Sequence, residues 1–211
     1  MTPIVVKLGG SMAYHAEMRK WVSVLAASGR PLVIVPGGGP FANRVREAQR
    51  EMGFSNKAAH FMAILAMDQM GLAVVEMNER LTPVRSLEEI ESALEDKKLP
   101  VWLPYRQCST ASDIPQSWDM TSDSLAAWLA GRLGAEALLL IKQTEAFEEV
   151  DDIETLVVAE IIDPLLPVML GEAALYLAGP VWLEAAGECF AAGQVPGKRF
   201  SARAASQRGA A

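Results

Sequence analysis

Pro3-Ile4-Val5-Val6-Lys7-Leu8-Gly9-Gly10-Ser11 and Pro31-Leu32-Val33-Ile34-Val35-Pro36-Gly37-Gly38-Gly39-Pro40 are the two stretches that decide the fold. Each is a short apolar run, opened by proline, that ends in a glycine-rich loop and hands over to a helical pattern. Apolar runs bounded by turn signals read as strands buried on both faces, the kind found in parallel sheets. Glycine lets backbone N–H groups converge on an anion with no Cβ in the way. The helix that follows offers unpaired first-turn amides and the positive end of its dipole. Both loops therefore read as anion cradles, and Lys7 adds a full positive charge to the first.

Working outward, further apolar runs occur at 73–75, 101–103, 137–141 and 175–178, with helical patterns between them. The helix over 12–27 ends at Ser28-Gly29, the one over 41–52 at Gly53, and the one over 55–70 at Gly71, each with a glycine suited to a C-terminal cap. Ser86-Leu87-Glu88-Glu89 has the form of a capping box and opens a helix running to about Asp96. Strands alternating with helices predict an α/β protein with an open, mainly parallel sheet, helices on both faces, and ligands at the carboxyl ends of the strands. The polar, turn-rich segment 107–117 reads either as a surface excursion or as a boundary. As a boundary it divides one domain over 1–200 into an N-terminal lobe of about 1–106 and a C-terminal lobe of about 118–200. Small and basic residues over 201–211 read as a flexible tail.

Of 211 residues 51% are apolar, enough for a substantial core, and 19 basic against 26 acidic residues give a net charge of −7. That balance argues against a nucleic-acid or anionic-membrane partner and for a small-molecule one. Cys108 and Cys189 carry no CxxC or Cys/His spacing, so they read as free thiols of a reducing compartment, and no metal site is indicated. No uncharged apolar stretch free of Pro and Gly approaches the ~20 residues of a membrane span, and no leader pattern opens the chain. The expectation is a soluble, cytoplasmic protein.

Three constellations can carry chemistry. Lys7 stands two residues before Gly9, so its ammonium can swing over whatever the Gly9 and Gly10 amides and Ser11 hold, an arrangement suited to a transferring phosphoryl group. Its plain alternative is a solvated strand-end lysine beside a turn. The second loop, Gly37-Gly38-Gly39, makes a second cradle. Gly37, Gly39 and Ala42 also satisfy the loose G-x-G-x-x-A dinucleotide pattern, but the acidic residue wanted about 20 positions on is missing, because Ser55-Asn56-Lys57-Ala58-Ala59-His60 stands there. A Walker A loop is absent too; 193–199 comes closest, with the wrong glycine spacing. The third constellation, Trp118-Asp119-Met120-Thr121-Ser122-Asp123-Ser124, opens a helix over 125–133 with Thr121 or Ser122 as N-cap, and puts Asp119 and Asp123 near the helix start. An aspartate there is as readily a dipole partner as a functional group. It can also hold the ammonium of Lys7 and that of Lys142, at the carboxyl end of the strand 137–141. His60 is a substrate-contact candidate because its helix follows the second glycine loop, although most histidines on such helices are structural or exposed.

These features, in this order, resemble the amino acid kinase superfamily, which includes aspartate, glutamate, acetylglutamate, uridylate and isopentenyl phosphate kinases. Lys7-Leu8-Gly9-Gly10-Ser11 looks like its first phosphate loop, Gly37-Gly38-Gly39-Pro40 like its acceptor-side loop, and Thr121-Ser122-Asp123-Ser124 with Leu125-Ala126-Ala127 like its central aspartate segment. The resemblance covers most of the chain. It implies a three-layer α/β/α sandwich and phosphoryl transfer from ATP with Mg2+, while the exposed apolar faces expected of the N-lobe helices favour a homo-oligomer. Asp123 would organise two lysines, Lys7 would stabilise the moving phosphate, and Asp119 and Thr121 would face the substrate.

Ala59-His60, Pro100-Val101-Trp102-Leu103-Pro104-Tyr105 and Trp118-Asp119 resemble a branch from methanogens and methylotrophs. That branch phosphorylates 5-(aminomethyl)-3-furanmethanol phosphate on the way to methanofuran or methylofuran. The departures lie on the nucleotide side. A Thr-Asp-x-Asp-Gly-like turn is replaced by Lys142-Gln143-Thr144-Glu145-Ala146-Phe147-Glu148, and a later Gly-Gly-Met segment with its lysine is missing. Either Lys142 supplies the second charge alone, or nucleotide binding has weakened and the chain is a catalytically silent binder of a phosphorylated ligand or partner.

Overall fold

The computed structural model describes residues 2–201. The expectation of a flexible tail lies, beyond Ser201, outside them. One seven-stranded sheet runs through the described chain, with β1 (Ile4–Leu8), β2 (Leu32–Pro36), β3 (Leu81–Val84), β4 (Leu99–Trp102), β5 (Ala137–Ile141), β6 (Ala174–Ala178) and β7 (Lys198–Phe200) in the order β3-β4-β2-β1-β5-β6-β7. Every pairing is parallel except that of β6 with β7. The chain begins at the centre of the sheet, builds β2 on one side of β1 and later returns to place β5 on the other. That reversal opens a crevice at the carboxyl ends of β1, β2 and β5, where open α/β sheets take their ligands.

Helices cover both faces. α1 (Ala16–Ala27) and α9 (Leu183–Ala191) pack with Ile4, Val6 and Leu8 on one side, whereas α4 (Leu87–Glu95) and α6 (Ser122–Leu133) pack with Val5, Val33, Val35, Leu138 and Leu140 on the other. α7 (Ile153–Val158) and α8 (Leu166–Met169) join the α6 side. Side chains alternate across a strand, so Lys7 falls on the face of Val5, and Lys142, just past β5, on the face of Leu138 and Leu140. Both lysines are thus delivered to the face that α6 covers.

α2 (Gly39–Met52) ends at Gly53 in the left-handed conformation, and α4 starts with the Ser86 hydroxyl accepting the Glu89 N–H, both where the sequence puts them. α3 differs. It runs over Asn56–Val75, so the apolar residues 73–75 complete a helix and form no strand, and Gly71 caps nothing. Gly71 lies where α3 crosses the sheet, and a Cβ there would strike the Leu103 side chain and come within 3.2 Å of Pro36. The expected start of the first helix at residue 12 is corrected as well, since a 3-10 turn over Gly10–Tyr14 precedes α1. The segment 107–117 begins with the last residues of α5 (Tyr105–Cys108) and is otherwise irregular.

By length and composition α3 could cross a membrane. In the fold two of its polar side chains have protein partners: Asp68 accepts the Tyr105 N–H, and His60 meets the Ser117 carbonyl.

Candidate active site

Asp123, the second residue of α6, is buried beneath the carboxyl ends of β1 and β5. Lys7 Nζ lies 2.6 Å from its Oδ1, and Lys142 Nζ bonds to its Oδ2, so each carboxylate oxygen holds one ammonium. All three side chains are withdrawn from water, Lys7 to 7%, Asp123 to 5% and Lys142 to 16% exposure. Burial alone would raise the Asp123 carboxyl; the two ammonium groups outweigh it and hold the group at about 2. Lys142 is drawn below its ordinary value by burial, with Asp123 opposing the fall and Lys7 adding to it. Two cations on one anion leave a net positive charge facing the strand ends. Such a centre can neutralise charge that builds on a transferring phosphoryl group.

The two glycine loops lie against each other. A Cβ on Gly10 would come within 2.5 Å of the Gly39 nitrogen, one on Gly37 within 2.5 Å of the Gly10 nitrogen, and one on Gly9 within 2.8 Å of the Ile141 carbonyl oxygen. Gly39 additionally needs φ of +52°. The Gly9 N–H donates to the Ile141 carbonyl at 3.0 Å and the Gly37 N–H to the Leu8 carbonyl at 2.9 Å. These two amides lock the loops to the sheet. Gly10, Ser11, Gly38 and Gly39 instead line a cavity of about 250 Å³.

That cavity is walled by α2, α3 and the segment leading into α6. His60, Ile64 and Met67 come from α3, Arg46 from α2, and Trp118, Thr121 and Ser122 from the approach to and first turn of α6. His60 is 3% exposed; its Nδ1 stands 3.2 Å from the Ser117 carbonyl oxygen and its Nε2 is buried without a protein partner. A carbonyl can only accept, so the ring proton sits on Nδ1 and the Nε2 lone pair is left as an acceptor. Burial lowers the His60 pKa, against the Ser117 bond, and keeps the ring neutral. The Arg46 guanidinium lies 4.4 Å from the centroid of the Trp118 ring, whose Nε1 donates to Gln49 at 2.8 Å.

The structure thus brings Lys7, Asp123 and Lys142 together and sets Gly10, Ser11, Gly38, Gly39, His60 and Thr121 around the neighbouring cavity. Asp119 is placed apart: it is exposed, outside the cavity lining, and accepts the Ser117 hydroxyl at 3.2 Å. Thr121 is the N-cap residue of α6, but its side chain does not cap. The cap comes from Asp163, between α7 and α8, whose Oδ2 accepts the Thr121 N–H at 2.8 Å and the Ser124 N–H at 3.0 Å. Sequence reasoning missed Asp163, Arg46 and the part played by Trp118. Arg46 had a signal: Ala42, Asn43 and Arg46 share a face of the helix that opens at Gly39.

The turn after Lys142 closes without glycine because none of residues 142–150 has a positive φ. Glu145 Oε1 accepts the Val181 N–H at 2.9 Å, Glu148 Oε1 accepts the Trp182 indole N–H at 2.7 Å, and Phe147 is fully buried. Lys198 donates to the Glu148 carbonyl at 2.5 Å and takes no part in the Asp123 cluster. Among the described residues no three His, Cys, Asp or Glu side chains gather as metal ligands.

A mainly parallel sheet with a lysine–carboxylate–lysine centre and interlocked glycine loops at its switch point defines an α/β protein whose site has the chemistry to hold an anion. The chain belongs to the amino acid kinase family, whose model matches residues 2–147. It is 29% identical over 138 residues to the [5-(aminomethyl)furan-3-yl]methyl phosphate kinase of Methanocaldococcus jannaschii, a match that takes in 64% of this chain and 63% of that one. The chain therefore spans just under two thirds of that relative's length. Among solved structures, the uridylate kinase of Archaeoglobus fulgidus superposes with a TM-score of 0.70 at 18% identity, over 95% of this chain and 100% of its own. The UMP kinase of Bacillus anthracis gives 0.65 at 14% identity, over 96% and 97%. These likenesses establish the three-layer amino acid kinase fold.

Proposed function

We propose that this chain is a small-molecule kinase that transfers the γ-phosphoryl group of ATP to an acceptor carrying a phosphate monoester, in the first instance an aminomethyl-furanmethanol phosphate. The observation that carries the reading is Asp123 gripping Lys7 and Lys142 beside the cavity. An acceptor phosphate oxygen attacks the γ-phosphorus in line as the bond to the β–γ bridging oxygen breaks, giving ADP and a diphosphate. Lys7 and Lys142 neutralise the charge on the transferring group. Asp123 holds both ammonium groups in place and forms no covalent bond. Mg2+ fits as a companion of the nucleotide phosphates, its usual mode. Gly10, Ser11, Gly38 and Gly39 border the acceptor's phosphate, and the His60 Nε2 lone pair suits a donor such as the aminomethyl group. The acceptor itself is drawn from what the archaeal relative is named for. The intact ion cluster favours catalysis over silent binding.

Calorimetry with Mg-ATP, followed by measurement of ADP release in the presence of aminomethyl-furanmethanol phosphate, tests this. Nucleotide binding and acceptor-dependent ADP release are expected, and a protein that binds no nucleotide would overturn the proposal.

The same reading includes self-association in the cytoplasm. α3 exposes Met62, Leu65 and Leu72, an apolar face for a second copy. Neither cysteine is paired, and burial pushes the Cys108 thiol far up, out of reactivity. Light scattering on wild type and Leu65→Glu checks the face: a wild-type monomer would refute it.

A further inference from the structure

We propose that Asp163 is the positioning residue of the Asp123 centre, its carboxylate fixing the first turn of α6 so that Asp123 spans Lys7 and Lys142. In an ordinary capping box two side chains divide the work, one bonding the N–H of the third helical residue and the other that of the N-cap residue. Here one carboxylate from 39 to 42 residues away makes both bonds, to Ser124 and to Thr121, and also accepts both hydroxyls, Thr121 Oγ1 at 2.8 Å and Ser124 Oγ at 3.0 Å. Asp123 stands between those clamped residues, so its backbone is held on each side by the same group. Because Thr121 points its hydroxyl at Asp163, its side chain leaves the cap position, and nothing local replaces the lost bond. The negative carboxylate also meets the positive end of the α6 dipole.

The anchor is itself fixed. Ile162 and Leu166 on either side of it are buried in the core that α6 shares. A shift of this loop is therefore passed directly to the start of α6, and from there to the carboxylate between the lysines. Asp163 also lends a second negative charge in the neighbourhood of Lys142, where it works with Asp123 against the burial that depresses that ammonium. Asp163 bonds neither lysine and is not itself among the residues that line the cavity; it acts on Asp123 through the clamped Thr121 and Ser124.

The kinetic part of this inference rests on the phosphotransfer reading above, so the test has an arm that does not. Hydrogen exchange of Asp163→Ala should speed the amides of residues 121–125 at least about tenfold while β1 and β5 keep their protection. Unchanged exchange there refutes the positioning role whatever the reaction. In the kinetic arm, Asp163→Ala should lower kcat at least about thirtyfold with the KM for ATP within about threefold, and Asp163→Asn, which keeps one oxygen for the two amides, should recover at least about tenfold of that. On an Asp123→Ala background the Asp163→Ala change should alter the residual rate by less than about twofold, since the two act as a unit. A full multiplicative loss there means a merely structural role and sinks the inference. If Asp163→Ala does not fold, Asp163→Glu, with its charge kept and its reach lengthened, should fold and lose at least about tenfold in kcat; wild-type kcat in that variant overturns the inference. An inactive wild type would refute the kinase reading, and the exchange result would still decide Asp163.

Discussion

Replacing Asp123 by asparagine keeps the shape of the side chain and removes the charge that two buried ammonium groups share. The size of the effect follows from the depressed acidity. A carboxyl held at about 2 instead of its ordinary 3.8 stabilises the folded chain by roughly 2–3 kcal/mol at neutral pH. Loss of the anion also leaves Lys7 and Lys142 facing each other with no counter-charge, and breaking a buried pair from one side brings the expected loss to about 3–5 kcal/mol. Because the folded value is the lower one, the wild-type advantage is complete above the unfolded pKa near 4 and disappears as pH falls towards 2. The assay is chemical denaturation of wild type and Asp123→Asn from pH 7 down to pH 3. The expected result is a gap of several kcal/mol at pH 7 that begins to close below pH 4. Equal stability at pH 7, or a gap that widens on acidification, would refute the account of the ion cluster.

Three further outcomes follow. Lys7→Ala should lower the rate of ADP release by about 10²–10³-fold with a native circular dichroism spectrum, the loss expected for one charge-stabilising group. His60→Phe should raise the acceptor KM about tenfold and leave the KM for ATP unchanged, because it removes one hydrogen-bond acceptor from the cavity. Gly10→Ala should lower the melting temperature and abolish transfer, since its Cβ would collide with backbone at 2.5 Å and overpacking costs about 1–3 kcal/mol; a stable, active variant would contradict the loop contact.

The centre of this fold was readable because its signals are local and periodic. β2, β5 and the stretch of β1 up to Val6 are apolar runs, and strand alternation puts Lys7 on the face of Val5 and Lys142 on the face of Leu138 and Leu140, the face that α6 covers. The errors have physical causes. Ala73-Val74-Val75 shortly after a glycine looks like a strand after a cap, yet Gly71 is a packing residue inside a helix of 20 residues, and short apolar runs do not distinguish the two. β3 contains Pro83 and β7 reads Lys-Arg-Phe, both edge strands whose composition hides them. In the site, the Lys7, Asp123 and Lys142 cluster was legible from spacing to strand ends and to a helix start. Asp163 was not, because its four bonds join residues about 40 positions apart and Ile161-Ile162-Asp163-Pro164 carries no motif. The loop pattern likewise offers the amides of Gly9 and Gly37 as anion donors, whereas register with the neighbouring strands assigns them to carbonyls.

The backbone contact between Gly10 and the Gly37–Gly39 turn has an evolutionary consequence. Two loops that exclude each other's Cβ atoms cannot be lengthened, shortened or decorated singly, so neither is free to drift towards a new acceptor. Variation in what the cavity accepts must come from the walls that carry ordinary side chains, and the larger polar and aromatic ones among them are Asn43 and Arg46 on α2, His60 on α3 and the indole of Trp118. Libraries aimed at new substrates belong at those four positions, with the glycines left alone.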